Sequence, residues 1–288
     1  MLGLILTSKN YVLMANFSFW KQDYRLDEMN LKDLWKAFLL YPDIHIYLVL
    51  AGASAGLAWL WGVTPAQALW SCVAVFALYP MVWYLLHRFV LHGKFLYRNK
   101  YTAKAWKRIH FDHHRDPFDL KVLFGALHTT LPTLVLIAFP VGYAIGGIGG
   151  FGAAFAAGIL MTVAYEFFHC IQHLGYEPKS KFIKKMKRLH LQHHFFNENV
   201  NYGITSFWPD SVFRTYKPSA KEIGGKSPTV FNLGYTGEEV RKYPWVAKLT
   251  PDLDPIRNAK EGVDRKKPKR AESLSPHSCQ TQQKKRAG

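Results

Sequence analysis

Two long uncharged stretches set the hydrophobic pattern of the chain. Residues 44–86 and 122–165 contain no Asp, Glu, Lys or Arg. A single membrane crossing takes about 20 apolar residues, so each stretch has the length of two helices. Segments containing glycine at 62–66 and 142–152 predict turns that divide the two stretches. The pattern therefore predicts an all-α integral membrane protein with four transmembrane helices in two hairpins, rather than buried helix pairs of a soluble protein.

Three shorter segments place apolar residues at helical spacing beside polar ones. In residues 30–40 the apolar positions share one face, and Asn30 is suited to cap the helix. We expect this helix either to lie in the membrane interface or to pack on the cytoplasmic part of the protein. Residues 102–114 and 179–194 predict two basic, partly amphipathic helices.

Composition divides the chain into three parts. Residues 1–43 form an N-terminal segment that carries the interfacial helix, and residues 44–254 form a membrane domain. Residues 255–288 are polar and rich in Lys, Ser and Gln, which predicts a basic disordered tail. The basic run at 266–270 is expected to lie near anionic lipid headgroups, so no nucleic acid partner is expected.

The basic residues are segregated along the chain, whose formal net charge is +17. Lys and Arg occur before residue 44, between 87 and 121, and after 173. Positive charge stays on the cytoplasmic side of a membrane protein. Both termini and the loop between the hairpins are therefore expected to be cytoplasmic, in a bacterial inner membrane or the endoplasmic reticulum.

Cysteine usage excludes thiolate chemistry. Cys72, Cys170 and Cys279 are scattered, with no C-x-x-C pair. This predicts neither a disulfide framework nor a thiolate metal site. Cys72 and Cys170 are expected to pack inside helices as small apolar residues.

Histidine is the residue type whose pattern suggests a functional site. Of thirteen histidines, ten fall into four clusters, all on the predicted cytoplasmic side. The order repeats, with a hairpin, a histidine pair and then H-x-x-H-H. The ten candidate metal ligands are His87, His92, His110, His113, His114, His169, His173, His190, His193 and His194.

The spacing of these residues suits metal binding. Side chains three or four positions apart share one face of a helix, so two imidazoles can reach one ion. His87 and His92 are five positions apart, about 140° around a regular helix. This pair therefore predicts an unwound turn or a bulge.

The ligand count favours two ions with a catalytic role. One transition-metal ion accepts at most about six ligands, so ten imidazoles predict two ions with about five each. An open coordination position then remains, as in catalytic rather than structural sites. A zinc transporter or metal store is the alternative outside the enzymes, but it would place polar groups inside the crossings. Imidazole alone does not choose between iron, zinc, copper and nickel.

Four further polar residues are weaker candidates for a functional role. Glu166 is hypothesised to support a nearby ligand, and His128 either bonds a neighbouring helix or contacts substrate. His45 and His277 are expected to have ordinary structural roles.

Four motifs, "HRFVLH", "HFDHH", "HCIQH" and "HLQHH", occur in this order. With them, the chain resembles the membrane fatty acid hydroxylase/sterol desaturase superfamily over about residues 44–217. "HHRDPFDLKVLFG" is similar to the stretch after the second motif in fatty acid 2-hydroxylases. "NYGITSFWPDSVFRT" is similar to the segment after the last motif across the superfamily.

The resemblance implies a di-iron enzyme, with residues 44–254 as its catalytic domain. The ten histidines would hold two iron ions, which zinc can replace in a preparation, and O2 would be the co-substrate. The implied reaction is hydroxylation of an aliphatic C–H bond of a membrane lipid, with 2-hydroxylation of a fatty acyl chain favoured. Hydroxylation or desaturation of a sterol, hopanoid or polar lipid is the alternative.

The resemblance also implies partners. No His-Pro-Gly-Gly haem motif occurs in the sequence, so a separate electron donor is expected, either cytochrome b5, ferredoxin or a reductase. The lipid headgroup is expected to stay near a basic surface formed by Lys104, Lys107, Arg108, Lys184, Lys185 and Arg188.

Overall fold

The computed structural model describes residues 24–250. This part of the chain is helical, with one isolated antiparallel bridge between Arg25 and Asp119. The predicted all-α class is therefore confirmed for it. The predicted disordered tail, together with His277 and Cys279, lies outside the described residues.

The first helix begins where the sequence predicts. After a 3-10 turn at Leu26–Glu28, α1 spans Leu31–Leu40, and the Asn30 side chain accepts hydrogen bonds from its first turn. Phe38 is buried, and its ring centroid lies 5.1 Å from that of Phe167. The helix thus packs on the rest of the protein, while other apolar side chains of α1 are exposed, namely Trp35, Leu39 and Leu40.

Three helical segments are long and apolar enough to cross a membrane: Pro42–Leu60, Pro65–Leu91 and Leu120–His173. The first is helix α2 (Pro42–Leu60), and the second begins with α3 (Pro65–Leu85). Gly62 has a left-handed φ of 72° in the turn between them, and the Thr64 side chain caps α3. The predicted turn at 62–66 is confirmed.

The third apolar segment reverses direction inside the long helix α8 (Leu127–His173). Its backbone leaves helical geometry at Gly146 and Gly147, within the predicted turn at 142–152. The ring centroids of Phe139 and Phe151 lie 5.4 Å apart. In a straight helix these two residues would be about 18 Å apart along the axis, so the two arms of α8 pack against each other.

Small residues allow the arms of α8 to pack closely on each other and on their neighbours. A Cβ atom on Gly142 would lie 2.4 Å from the Gly150 carbonyl oxygen. Towards α2, the Ser54 hydroxyl donates to the Gly152 carbonyl oxygen at 2.9 Å. Cys72 lies in α3 and Cys170 in α8, as predicted, and Cys170 is buried.

The rest of the described residues form two π-helical turns and a set of shorter helices. A π-helical turn, π1 (Leu86–Leu91), continues α3 directly, and a second one, π2 (Lys107–Phe111), follows two short helices. The remaining helices are α4 (Phe95–Arg98), α5 (Ala103–Trp106), α6 (Asp112–Arg115), α7 (Leu120–Leu123), α9 (Lys181–Phe195), α10 (Trp208–Val212), α11 (Ala220–Ile223), α12 (Glu238–Lys242) and α13 (Trp245–Lys248).

Candidate metal centre

The structure brings the ten clustered histidines together in two groups. Group one comprises His113, His169, His173, His190 and His194, and one ring nitrogen of each lies within 4.8 Å of the others. Group two contains four histidines that satisfy the same distance, namely His87, His92, His110 and His114. We assign His193 to group two, because its ring centroid lies 4.8 Å from that of His87 and 4.9 Å from that of His92.

The first histidine pair depends on the π turn that follows α3. In π1 the His92 N–H donates to the His87 carbonyl oxygen at 3.1 Å, a bond between residues five apart. This wider turn brings the two Nε2 atoms to 3.2 Å from each other. Two ligands bound at right angles to one ion, each at about 2.1 Å, would be about 3.0 Å apart, so the pair has suitable spacing. The predicted bulge is confirmed.

The second motif spans π2 and α6. The rings of His110 and His114 face group two, with centroids 4.6 Å apart. His113 faces group one, where its ring centroid lies 4.8 Å from those of His169 and His173. This motif therefore contributes side chains to both groups.

The last H-x-x-H-H motif, on α9, is divided between the two groups in the same way. His190 and His194, four residues apart, both face group one, with ring centroids 4.5 Å apart. His193 lies between them in the sequence and faces group two. In group one, the His190 Nε2 atom lies 3.0 Å from that of His169 and 2.9 Å from that of His173, which end α8.

Three backbone carbonyls orient rings of group two. The Nδ1 atom of His87 lies 2.6 Å from the carbonyl oxygen of Tyr202, and that of His193 lies 2.9 Å from the carbonyl oxygen of Val200. Likewise, the His114 Nδ1 atom lies 3.1 Å from the carbonyl oxygen of Val230. A carbonyl only accepts, so each Nδ1 donates and each Nε2 keeps its lone pair for a ligand. Sequence reasoning missed these carbonyls.

The rings are held in their neutral form. Burial lowers the pKa of His114 to about 3, and the neighbouring His87 imidazole adds to this shift. Burial, reinforced by repulsion from neighbouring imidazoles, also lowers the pKa well below its usual value for His92, His110, His113, His190, His193 and His194. Metal ions bind the neutral imidazole, so these rings are ready to coordinate.

Buried ring nitrogens without partners support a metal site. The Nε2 atoms of His110, His114 and His193 are buried and have no hydrogen-bond partner, and neither ring nitrogen of His113 or His194 has one. Buried polar atoms are normally hydrogen-bonded, and leaving several unpaired in one place is costly. Two cations, each facing several neutral nitrogen donors, would satisfy one nitrogen of each of these rings.

Other candidate residues lie apart from the two groups. Glu166 accepts a hydrogen bond from the Gly125 N–H at 3.0 Å, so it supports the loop before α8 rather than an imidazole, which differs from our expectation. His128 is exposed near the start of α8. His45 bonds the Leu39 carbonyl oxygen at 2.5 Å, an ordinary structural role as expected.

The predicted basic surface is only partly exposed. Lys107 and Arg108 are half-buried, and Lys107 forms an ion pair with Asp112 at 2.7 Å. Lys184 pairs with Glu177 at 3.2 Å. The exposed members of the predicted set are Lys104, Lys184, Lys185 and Arg188.

An aromatic cleft reaches towards both groups. Tyr79, Trp83, Tyr165 and Tyr202 line it, together with residues 203–206. The ring of Tyr202 lies 5.1 Å from that of His92 in group two, and the ring of Tyr165 lies 6.0 Å from that of His169 in group one. The space open to a water-sized sphere is about 10 Å³, which holds about one water molecule.

The chain is similar to proteins named as fatty acid hydroxylases. The family model for fatty acid hydroxylase matches residues 72–215. The dihydroceramide fatty acyl 2-hydroxylase FAH2 of Arabidopsis thaliana is 30% identical over 202 residues, which cover 67% of this chain and 77% of that protein.

Two other relatives are longer than the part they share with this chain. The fatty acid 2-hydroxylase of Rattus norvegicus is 30% identical over 51% of this chain and 40% of its own length. The ceramide very long chain fatty acid hydroxylase SCS7 of Saccharomyces cerevisiae is 32% identical over 50% of this chain and 37% of its own. The chain thus spans about two fifths of the length of these relatives.

A solved structure shares the fold. It is that of full-length Scs7p, in which only the hydroxylase domain is visible. The TM-score is 0.53 with 24% sequence identity, and the match covers 72% of each chain. At this identity the likeness concerns the fold alone.

Proposed function

The chain belongs to the fatty acid hydroxylase family, and on that basis we propose that it is an O2-dependent, di-iron hydroxylase of a membrane lipid. The favoured reaction is 2-hydroxylation of a fatty acyl chain, because the relatives include fatty acid 2-hydroxylases and a dihydroceramide fatty acyl 2-hydroxylase. The observation that carries this proposal is the gathering of ten imidazoles into two adjacent groups.

The ten histidines of groups one and two are the proposed ligands. Five neutral nitrogen donors for each ion leave about one coordination position open in an octahedral geometry. Bound iron would supply the activation of O2 that oxidation of an unactivated C–H bond requires. Because imidazole carries no negative charge, the ligands would not cancel the charge of the ions.

The protein's own contribution is to orient the ligands and to exclude water. Nine of the ten rings are buried, and His92 is half-buried. The carbonyls of Val200, Tyr202 and Val230 fix the tautomer of three rings. A dry, preorganised pocket would protect reactive oxygen species from side reactions with solvent.

We propose that the protein crosses the membrane four times, with both termini cytoplasmic. The two arms of α8 would form one hairpin, and α2 with α3 the other. The histidine groups would then lie at the cytoplasmic ends of these helices, held by a helical cap. The absence of Lys and Arg from the turns at 62–66 and 142–152 supports this orientation.

The aromatic cleft is the proposed approach for the acyl chain. It lies between α3, α8 and residues 203–206, and its walls contact rings of both groups. Its small volume means that side chains must move before a lipid can bind. A headgroup at the membrane surface would remain near the exposed Lys104, Lys184, Lys185 and Arg188. Electrons would come from a separate donor, a cytochrome b5, ferredoxin or reductase.

Lipid mass spectrometry tests the proposal. Cells expressing the full chain under 18O2 should accumulate a fatty acyl lipid that is heavier by one labelled oxygen, with fragmentation placing it on C2. A matched strain expressing a variant with both His113→Ala and His193→Ala should lack the product. A labelled sterol or hopanoid, or loss of two hydrogens, would replace the acyl hydroxylase assignment with another activity of the superfamily. Zinc binding with no lipid product would favour the transporter or metal store.

A further inference from the structure

A buried carboxylate holds the loop that orients one ring of group two. Asp210 is fully buried, and its carboxylate accepts hydrogen bonds from the N–H of Tyr202 at 2.8 Å and of Gly203 at 2.7 Å. A third bond comes from the Thr215 hydroxyl at 2.8 Å. The carbonyl of Tyr202 in turn accepts from His87 Nδ1 at 2.6 Å. Asp210 thus fixes the backbone segment that fixes the imidazole.

The approach of this carboxylate to the backbone requires glycine. A Cβ atom on Gly203 would lie 2.7 Å from the Asp210 Oδ2 atom and 2.2 Å from the Ser206 carbonyl oxygen. Any side chain at Gly203 would therefore displace the loop or the carboxylate. The loop and Asp210 are packed as one unit.

A second carboxylate has the same relation to another ring of group two. Glu198 is 4% exposed, and its Oε1 atom accepts from the Ser227 hydroxyl at 2.9 Å and the Thr229 hydroxyl at 2.5 Å. Val230 follows directly, and its carbonyl oxygen accepts from His114 Nδ1 at 3.1 Å. Glu198 therefore anchors the turn that presents this carbonyl.

We propose that Asp210 and Glu198 are positioning residues for group two, each acting through a backbone carbonyl on one imidazole. The inference rests on the proposed metal centre. Group one differs, because the buried Nδ1 atoms of four of its rings have no hydrogen-bond partner, namely those of His113, His173, His190 and His194. Loss of either carboxylate should therefore weaken metal binding at group two and spare group one.

The test is metal titration of the purified full-length protein, with Co2+ as the probe and a spectroscopic readout that does not depend on lipid turnover. In Asp210→Asn the amide NH2 replaces one of the two accepting oxygens and must face at least one of the three donors. At least one of the three hydrogen bonds is therefore lost. Glu198→Ala removes the acceptor of both hydroxyls. Each variant should bind one ion normally and the second about 10- to 100-fold more weakly.

Glu198→Gln is the matched control. A glutamine oxygen can replace Oε1, the atom that accepts both hydroxyls, so this variant should bind two ions as the wild type does. Combination variants identify the affected group. Adding His113→Ala to Asp210→Asn should abolish the tightly bound ion and leave only the weak one, whereas adding His193→Ala should abolish the weak ion and leave the tight one.

Two results would overturn the inference. One is wild-type affinity for both ions in Asp210→Asn and Glu198→Ala, and the other is equal weakening of both ions, which would mean a general effect on the fold. If Asp210→Asn does not fold, Glu198→Ala and its glutamine control decide by the same criteria. A wild-type protein that binds fewer than two ions would refute the metal centre itself, and the inference with it.

Discussion

His113 and His114 are adjacent in the sequence, yet their rings face different groups, with centroids 6.2 Å apart. Helical geometry explains the separation. Residues four apart, such as His110 and His114, lie about 40° apart around the helix axis. His113, three positions after His110, lies about 60° from it in the opposite direction. The same rule places His190 and His194 in group one and His193 in group two. Each H-x-x-H-H motif therefore contributes imidazoles to both groups.

This division predicts the metal content of single and double variants. His113→Ala should remove one ion from group one, and His193→Ala one ion from group two. Adding His194→Ala to His113→Ala should change little further, because both belong to group one, whereas adding His87→Ala should remove the second ion. Metal analysis of the purified proteins checks this, with the exposed His128→Ala as control. Equal loss in the two double variants would contradict the grouping.

The π turn at Leu86–Leu91 predicts different effects of deletion and insertion. Deleting Phe89, which is 49% exposed, leaves the two histidines four apart, so a regular helix would still bring them to one face. Inserting an alanine after Phe89 rotates His92 by about 100° away from its partner. We expect the deletion to retain both ions and the insertion to lose the one at group two. Equal damage from both changes, measured as metal content, would argue against this explanation.

Acid should destabilise the metal-free protein. Burial lowers the pKa of His114 from 6.5 to about 3, and the pKa of His110 and of His194 falls well below the usual value. The unfolded chain therefore binds more protons than the folded chain below about pH 6.5. For His114 this stability is fully present above this pH and is lost, by up to about 1.4 kcal/mol per pH unit, as the pH falls towards 3. His110 and His194 add to the loss in the same direction.

Thermal unfolding after chelator treatment measures this effect. The melting temperature in detergent should decrease from about pH 7 to about pH 5, because the lower pH lies between the folded and unfolded pKa values. An unchanged or higher melting temperature at the acidic pH would show that the rings are not held neutral by burial.

Close packing of the α8 arms predicts that alanine substitutions at two glycines have different effects on stability. In Gly142→Ala the new Cβ would meet backbone atoms of the opposite arm, 2.4 Å from the Gly150 carbonyl oxygen. We expect a loss of about 1–3 kcal/mol in the free energy of unfolding, since backbone must shift. Gly52→Ala is the control, because nothing lies within 4 Å of the added atom. Similar melting temperatures for the two variants would contradict the close packing of the two arms.

Local features of the site could be predicted from the sequence, whereas contacts between segments far apart in the chain could not. The bulge between His87 and His92 follows from their spacing, and the N-cap at Asn30 from residue type. The carbonyls of Tyr202 and Val230 come from segments far from the rings they orient, and carbonyls have no side-chain signature. The similarity of "NYGITSFWPDSVFRT" to the superfamily marked the segment without giving Asp210 a role.

The crossed assignment of His113 and His193 makes the two halves of the chain interdependent. Residues 24–121 contain four imidazoles of group two and one of group one, and the remainder contains the reverse. Neither half alone could assemble a five-nitrogen set. An ion bound in either group would be coordinated by both halves and would hold them together. Rising metal concentration should therefore strengthen the association of the two halves, even in a chain cleaved between them.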